Sequence, residues 1–145
     1  MTAIAQLKHQ FAIPVDLLWS MIGDFGDVGK WSGRPAEACV QEGVGIGALR
    51  TLTLDDGRQV VDRLDAQGDI FYSYSIVTSP FPVTAYAATM SVAAVDAASS
   101  ELTWRGAIEP DGISDEAATA MFEAMYRYGV GLIERQIARE ATDKK

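Results

Sequence analysis

Arg50, Asp62, Tyr72, Tyr74 and Tyr86 are the residues of this chain whose types and spacing could do chemistry. They fall within residues 45–86, GIGALRTLTLDDGRQVVDRLDAQGDIFYSYSIVTSPFPVTAY, where three strand-like runs follow one another with short turns between them. One face of each run is mostly apolar, and these polar groups interrupt it. An unpaired buried charge is costly, so a core built for stability alone would rarely place an arginine and an aspartate there. A carboxylate beside a guanidinium is held ionised and can take a hydrogen bond from a hydroxyl, or a proton as a general base. Tyrosines add apolar rings with polar tips, which suit a cavity that orients a mostly apolar molecule.

Alternation with a period of two places these groups. One parity of the second run gives Val60, Asp62 and Leu64; the other gives Gln59, Val61, Arg63 and Asp65, the more solvent-like set. In the first run Arg50 shares a face with Leu52 and Leu54. Asp55-Asp56-Gly57 suits a three-residue hairpin loop with Gly57 in the left-handed position. That loop pairs Leu52 with Val60 and Arg50 with Asp62, so the two charges are expected as cross-strand neighbours on the inner face.

The elements that must carry this hairpin follow from the rest of the pattern. Strands are expected at 3–12, 36–42, 69–77, 84–95 and 101–108 besides the hairpin. Pro14 and Leu17, Leu18, Met21 and Ile22 mark a short helix, and a second helical turn leads to Trp31. Tyr72, Tyr74 and Ile76 share one face, as do Tyr86, Ala88, Met90 and Val92; Leu102 and Trp104 face inward on the last strand. Ser79-Pro80-Phe81-Pro82 reads as a stiff loop exposing a phenylalanine. A long helix spans 114–140, with Ser114 as N-cap and Asp115 and Glu116 at the positive end of its dipole. Its apolar face reads as Met121, Phe122, Met125, Gly129, Leu132, Ile133 and Gln136. Gly129 and Gly131 each cost about 1 kcal/mol against Ala inside a helix, so close packing or room for a ligand should offset them. Layering predicts an α+β fold in which an antiparallel sheet curls around that helix and leaves a pocket between them.

Composition bounds the partners. The chain has 145 residues and a net charge of −8. One domain spanning 1–145 is expected. The negative charge disfavours nucleic acid. Cys39 is the only cysteine and His9 the only histidine, so neither a disulfide nor a metal site is expected, and no cofactor is implied. Cys39 is expected as a buried small hydrophobe, and His9 shares parity with Leu7 and Phe11. No run is long enough to span a membrane, and no signal-peptide pattern opens the sequence, so a cytoplasmic location is the expectation. A monomer or homodimer is expected. The charges of 134–145 read as a solvated face, and 141–145 as a frayed tail.

Pro14, Leu18-Trp19, Asp24-Phe25, Trp31, Val44-Gly45, Arg50, Asp62-Arg63-Leu64, Tyr74-Ser75-Ile76, Pro82, Tyr86 and Trp104 stand in an order that resembles the START/birch-pollen-allergen (SRPBCC) superfamily. The likeness is closest to its polyketide cyclase/dehydratase-like branch, which is also similar to the plant abscisic acid receptors. The resemblance implies the helix-grip fold: a curved seven-stranded antiparallel sheet around a long C-terminal helix, with two short helices after strand 1. It also implies that Arg50, Asp62, Tyr74, Tyr86 and Trp104 line a pocket, with the loops at 55–57 and 79–83 at its mouth. Those loops lack the receptors' Ser-Gly-Leu-Pro sequence and their histidine and arginine, which speaks against hormone-gated phosphatase inhibition.

The residues then read as a binding module for a small, mostly hydrophobic molecule of polyketide-, sterol- or lipid-like character. The expected contacts are Trp31, Arg50, Leu52, Val60, Asp62, Tyr72, Tyr74, Phe81, Tyr86, Ala88, Met90, Trp104, Met125 and Gly129. The alternative is a cyclase, dehydratase or aldol-type lyase in the same cavity, with Asp62 as catalytic general base and Tyr86 or Arg50 stabilising an enolate oxygen. The lack of a Lys or His clearly in the cavity weighs against it.

Overall fold

A computed structural model describes the backbone of residues 2–143 and the side chains of 2–142. The order is β1 (Ala3–Phe11), α1 (Val15–Ile22), α2 (Gly29–Ser32), a 3-10 turn (Ala36–Ala38), β2 (Cys39–Glu42), β3 (Leu49–Thr53), β4 (Gln59–Gln67), β5 (Phe71–Thr78), β6 (Val83–Asp96), β7 (Ser99–Pro110) and α3 (Asp115–Asp143). The seven strands form one antiparallel sheet in the order β1-β7-β6-β5-β4-β3-β2. This is the curved sheet and long helix of the helix-grip fold. The expected strand at 36–42 begins only at Cys39, because 36–38 close a helical turn behind Pro35. The expected tail is helical as far as Asp143; Lys144 and Lys145 lie outside the described residues.

Local chemistry sets the ends of the elements. Ser114 Oγ accepts the Ala117 N–H at 3.0 Å, which caps α3. Gly57 has φ +88° in the β3–β4 loop, and the Leu54 N–H meets the Arg58 carbonyl at 2.8 Å. The hairpin register follows: Leu52 pairs with Val60 and Arg50 with Asp62. Between β4 and β5 the register shifts twice, between Val61 and Asp62 and between Leu64 and Ala66. Such bulges bend and twist a strand locally, and these two bracket Asp62.

Helix α3 packs against β1, β7 and α2. Its Glu123 carboxylate accepts the Gln6 N–H at 3.1 Å, and Thr119 Oγ1 donates to the Ile4 carbonyl at 3.1 Å. Those bonds occupy backbone groups of the edge strand that could otherwise recruit another chain. Phe122, Tyr126 and Ile133 are buried in the core with Phe11, Leu18, Ile22, Leu102 and Ile108. Seated over the β1–β7 side, α3 faces β3, β4 and β5 across a gap.

The buried face of the helix is rotated somewhat from the expected one: Phe122, Gly129 and Ile133 face inward as expected, and Met121 and Leu132 pack at the core's edge. Ala118, Phe122, Tyr126, Gly129, Val130 and Ile133 are buried, whereas Met125 is 37% exposed. The expected three- and four-residue spacing follows a neighbouring row that shares Phe122, Gly129 and Ile133 with the buried face but omits Ala118, Tyr126 and Val130. The two glycines also differ. A Cβ on Gly129 would come within 2.8 Å of the Trp104 ring, so Gly129 admits that indole. Gly131 is exposed, a Cβ there would meet nothing within 4 Å, and nothing offsets its cost. Gly131→Ala should therefore raise the unfolding free energy by about 0.5–1 kcal/mol in urea titration, and Gly129→Ala should gain less or lose stability.

Candidate functional site

The β3–β4 register puts Arg50 and Asp62 side by side, 4% and 2% exposed. Arg50 Nη2 and Nε donate to Asp62 Oδ2 at 2.8 and 3.2 Å. Arg50 Nη1 donates to the Phe25 carbonyl at 3.0 Å and to the Tyr72 hydroxyl at 3.3 Å. The guanidinium also lies 4.3 Å from the Phe25 ring centroid and 5.0 Å from that of Tyr74. One arginine thus ties the hairpin, the loop after α1 and β5 together. Both bonds to Asp62 end on Oδ2; among the described residues Oδ1 receives none. Burial raises the Asp62 carboxyl above its ordinary value, and the charge and hydrogen bonds of Arg50 oppose that rise. Burial also works against the Arg50 charge, but its Tyr72, Asp62 and Tyr74 neighbours outweigh it and hold Arg50 above its usual value. Arg50 is therefore a fixed cation.

Beside this pair runs a chain of hydroxyls. Trp104 Nε1 donates to the Tyr74 hydroxyl at 3.1 Å, Tyr74 and Tyr86 share a bond at 3.4 Å, and Tyr86 meets Tyr126 from α3. Glycine makes room for this cluster. A Cβ on Gly106 of β7 would clash with both the Tyr126 hydroxyl and the Tyr86 ring, and Trp104 stacks on Tyr126 at 4.6 Å. Burial first, then the neighbouring groups, pushes Tyr74 and Tyr86 well above the usual phenol value. Burial raises Tyr126 to about 12, against its bond from Tyr86. All three are therefore neutral at neutral pH. Three hydroxyl protons joined by two links leave one proton over as a donor.

The gap behind these groups is a cavity of about 170 Å³. Of the residues expected in a pocket, Trp31, Arg50, Leu52, Val60, Asp62, Tyr72, Tyr74, Phe81, Tyr86, Met90, Trp104 and Met125 stand on its wall. Ala88 is buried but off the wall; it pairs with Gly106 on β7 and Tyr74 on β5, in the zone where small residues give way to the tyrosine rings. Gly129 lies outside the cavity, in an open groove of about 470 Å³ at the mouth. Phe81 is half-buried and packs edge-on to Phe122 at 5.8 Å, so the loop tucks its ring inward and does not expose it.

The wall also holds Val28, Leu54, Ile76, Phe122 and Tyr126, which were not among the expected contacts. Ile76 and Leu54 share the parities of Tyr74 and Arg50, a signal that was there to use; Tyr126 follows Phe122 at helical spacing. At the mouth, Arg34 donates to the Thr53 carbonyl at 2.8 Å and pairs with Asp55, anchoring the β3–β4 loop. The Trp31 indole N–H is buried without a hydrogen-bond partner among the described residues. His9 and Cys39 lie on the two opposite edge strands. His9 is half-buried, 3.1 Å from Glu134; Cys39 is half-buried rather than fully buried, with its thiol directed to the Gly26 carbonyl.

A curved antiparallel sheet gripping a C-terminal helix over an apolar cavity defines a START-like protein. The sequence matches the family model described as polyketide cyclase / dehydrase and lipid transport over residues 2–138, and the chain belongs to that family. Its structure is similar to that of the XoxI protein from Bacillus cereus, with 27% identity, coverage of 92% of this chain and 94% of that one, and a TM-score of 0.80. An uncharacterised protein from Bacillus thuringiensis is 26% identical, with coverage of 92% and 97% and a TM-score of 0.81. A START superfamily protein from Mycobacterium smegmatis, 8% identical with coverage of 94% and 97% and a TM-score of 0.78, shares the fold. No curated protein matches the sequence. Among the described residues no helix is long and apolar enough to cross a membrane.

The site makes two physical predictions. Asp62→Leu leaves a buried, unpaired guanidinium and should cost about 3–5 kcal/mol of unfolding free energy, while Arg50→Met combined with Asp62→Leu should recover at least half of that loss. The raised tyrosines favour the folded state below the ordinary phenol value of 10, and this contribution is lost as pH climbs through the folded-state values. Unfolding free energy should therefore fall between pH 10 and about 12, and Tyr86→Phe should make that slope shallower by up to about 1.4 kcal/mol per pH unit.

Proposed function

We propose that this protein binds a small, mostly hydrophobic molecule in the cavity between sheet and α3. The observation that carries the reading is a cavity walled by aromatic and aliphatic side chains into which two unspent polar functions are built. One is the free Oδ1 of Asp62 and the other the surplus donor of the tyrosine chain. Apolar walls with few fixed polar groups are what small-molecule sites use for affinity and orientation respectively. Membership of a family that includes lipid transport proteins supports the same reading. A cytoplasmic site of action belongs to the proposal, in keeping with one unpaired thiol.

A lyase or cyclase is the second reading, and the buried carboxylate with one free oxygen is what favours it. Against it stands the surrounding chemistry. Arg50 offsets part of the rise that burial gives Asp62, the tyrosines are held neutral, and neither Lys nor His stands on the cavity wall to act as a second titratable partner. General acid–base work needs a group poised near the operating pH.

The test is purification under native conditions followed by mass spectrometry of small molecules released on unfolding, alongside calorimetry with apolar phenols. Filling the cavity by Val60→Phe should cost about 1–3 kcal/mol of stability, keep the circular dichroism spectrum and abolish the released species. Turnover of a polyketide or aldol substrate that disappears in Asp62→Asn, with substrate affinity retained, would replace binding by catalysis.

A further inference from the structure

The cavity measures about 170 Å³. An apolar cavity of about 150 Å³ holds a single benzene ring. A fused polycyclic skeleton does not fit inside. The cavity is not closed off, however. Val28, Trp31, Leu54, Phe81, Trp104 and Met125 line both it and the groove of about 470 Å³ at its mouth. The groove continues over α3 past Tyr128, Gly129 and Leu132 and is apolar along that length.

The polar groups set the chemistry of whatever enters. Four of the five Arg50 N–H groups are spent, on Asp62, Phe25 and Tyr72. Arg50 is thus not available as a fork for a carboxylate, and the free oxygen of Asp62 repels one. The paired charges cancel, so the site does not call for a cation either. What remains are an acceptor at Asp62 Oδ1 and one surplus proton in the tyrosine chain, which suit a neutral hydroxylated head.

We propose, building on the binding reading above, that the ligand is bipartite: a neutral head no larger than one hydroxylated ring, seated in the cavity, and an unbranched apolar extension lying in the groove over α3. On this reading the cavity disfavours the carboxylate of a fatty acid, which would face the Asp62 oxygen, and a sterol-sized polycycle, which exceeds its volume.

Calorimetric titration of the full chain with 4-alkylphenols, from phenol to 4-octylphenol, tests this against matched 4-alkylbenzoates and a steroid phenol such as estradiol. Affinity should rise by up to about fourfold per added methylene. Benzoates of equal chain length should bind at least about tenfold more weakly, the tenfold step being the loss of one hydrogen bond to a charged group. Tyr128→Glu alters an exposed groove residue that is absent from the cavity wall. It should flatten the gain per methylene and leave phenol affinity unchanged. Estradiol binding as tightly as octylphenol, equal affinity for benzoates, or affinity independent of chain length would each overturn the bipartite ligand while leaving the binding reading in place. Failure of every probe to bind would overturn both.

Discussion

Taking an arginine and an aspartate out of water costs several kcal/mol per ion, and only close geometry with further hydrogen bonds offsets it. The sheet supplies that geometry once, at Arg50 and Asp62. Their cross-strand register depends on the three-residue loop at Gly57, and two bulges in the β4–β5 pairing bracket the carboxylate. The remaining donors of the guanidinium then reach the Phe25 carbonyl and Tyr72, which ties the segment after α1 to the middle of the sheet. A hydrophobic pair of equal volume would hold these elements with less desolvation. The ion pair gives in exchange a fixed polar point inside an apolar wall.

Space is managed by the smallest side chains. Ala5, Gly106 and Ala88 follow one another across β1, β7 and β6, and Tyr86 and Tyr126 occupy the room over Gly106. Gly129 does the same for Trp104 from the helix side. The aromatic rings can therefore pack tightly at one end of the sheet–helix interface and hold their hydroxyls in line. The void is displaced toward β3, β4 and β5. Its modest volume follows from how much of the gap Tyr72, Tyr74, Tyr86, Trp104 and Tyr126 fill.

That filling bears on how the family's two broad activities divide here. Family membership allows both cyclisation or dehydration and lipid carriage. A cyclase needs groups whose protonation changes near neutral pH. In this cavity the arginine is a permanent cation and the tyrosines are neutral, which leaves Asp62, raised by burial, as the one wall carboxylate able to exchange a proton.

The β3–β4 register and the pairing of Arg50 with Asp62 follow from period-two alternation and the chemistry of a single glycine-containing loop, whereas the fold class follows from the order of strands and long helix and its helix-grip form from the family resemblance. The sequence by itself also determined which parity of β5 and β6 carries Tyr72, Tyr74 and Tyr86. Tertiary structure alone decided the rest. The rotation of α3 about its axis, which buries Tyr126 and leaves Met125 part-exposed, depends on which strands the helix rests on, and local spacing tolerates either stripe. That Phe81 tucks inward follows from its meeting with Phe122, 41 positions away by number. The division of labour between Gly129 and Gly131, alike as residues, comes from a tryptophan on β7 that touches only one of them. The size of the cavity was beyond any pattern, since it is the small remainder of many packed volumes and not the property of any segment.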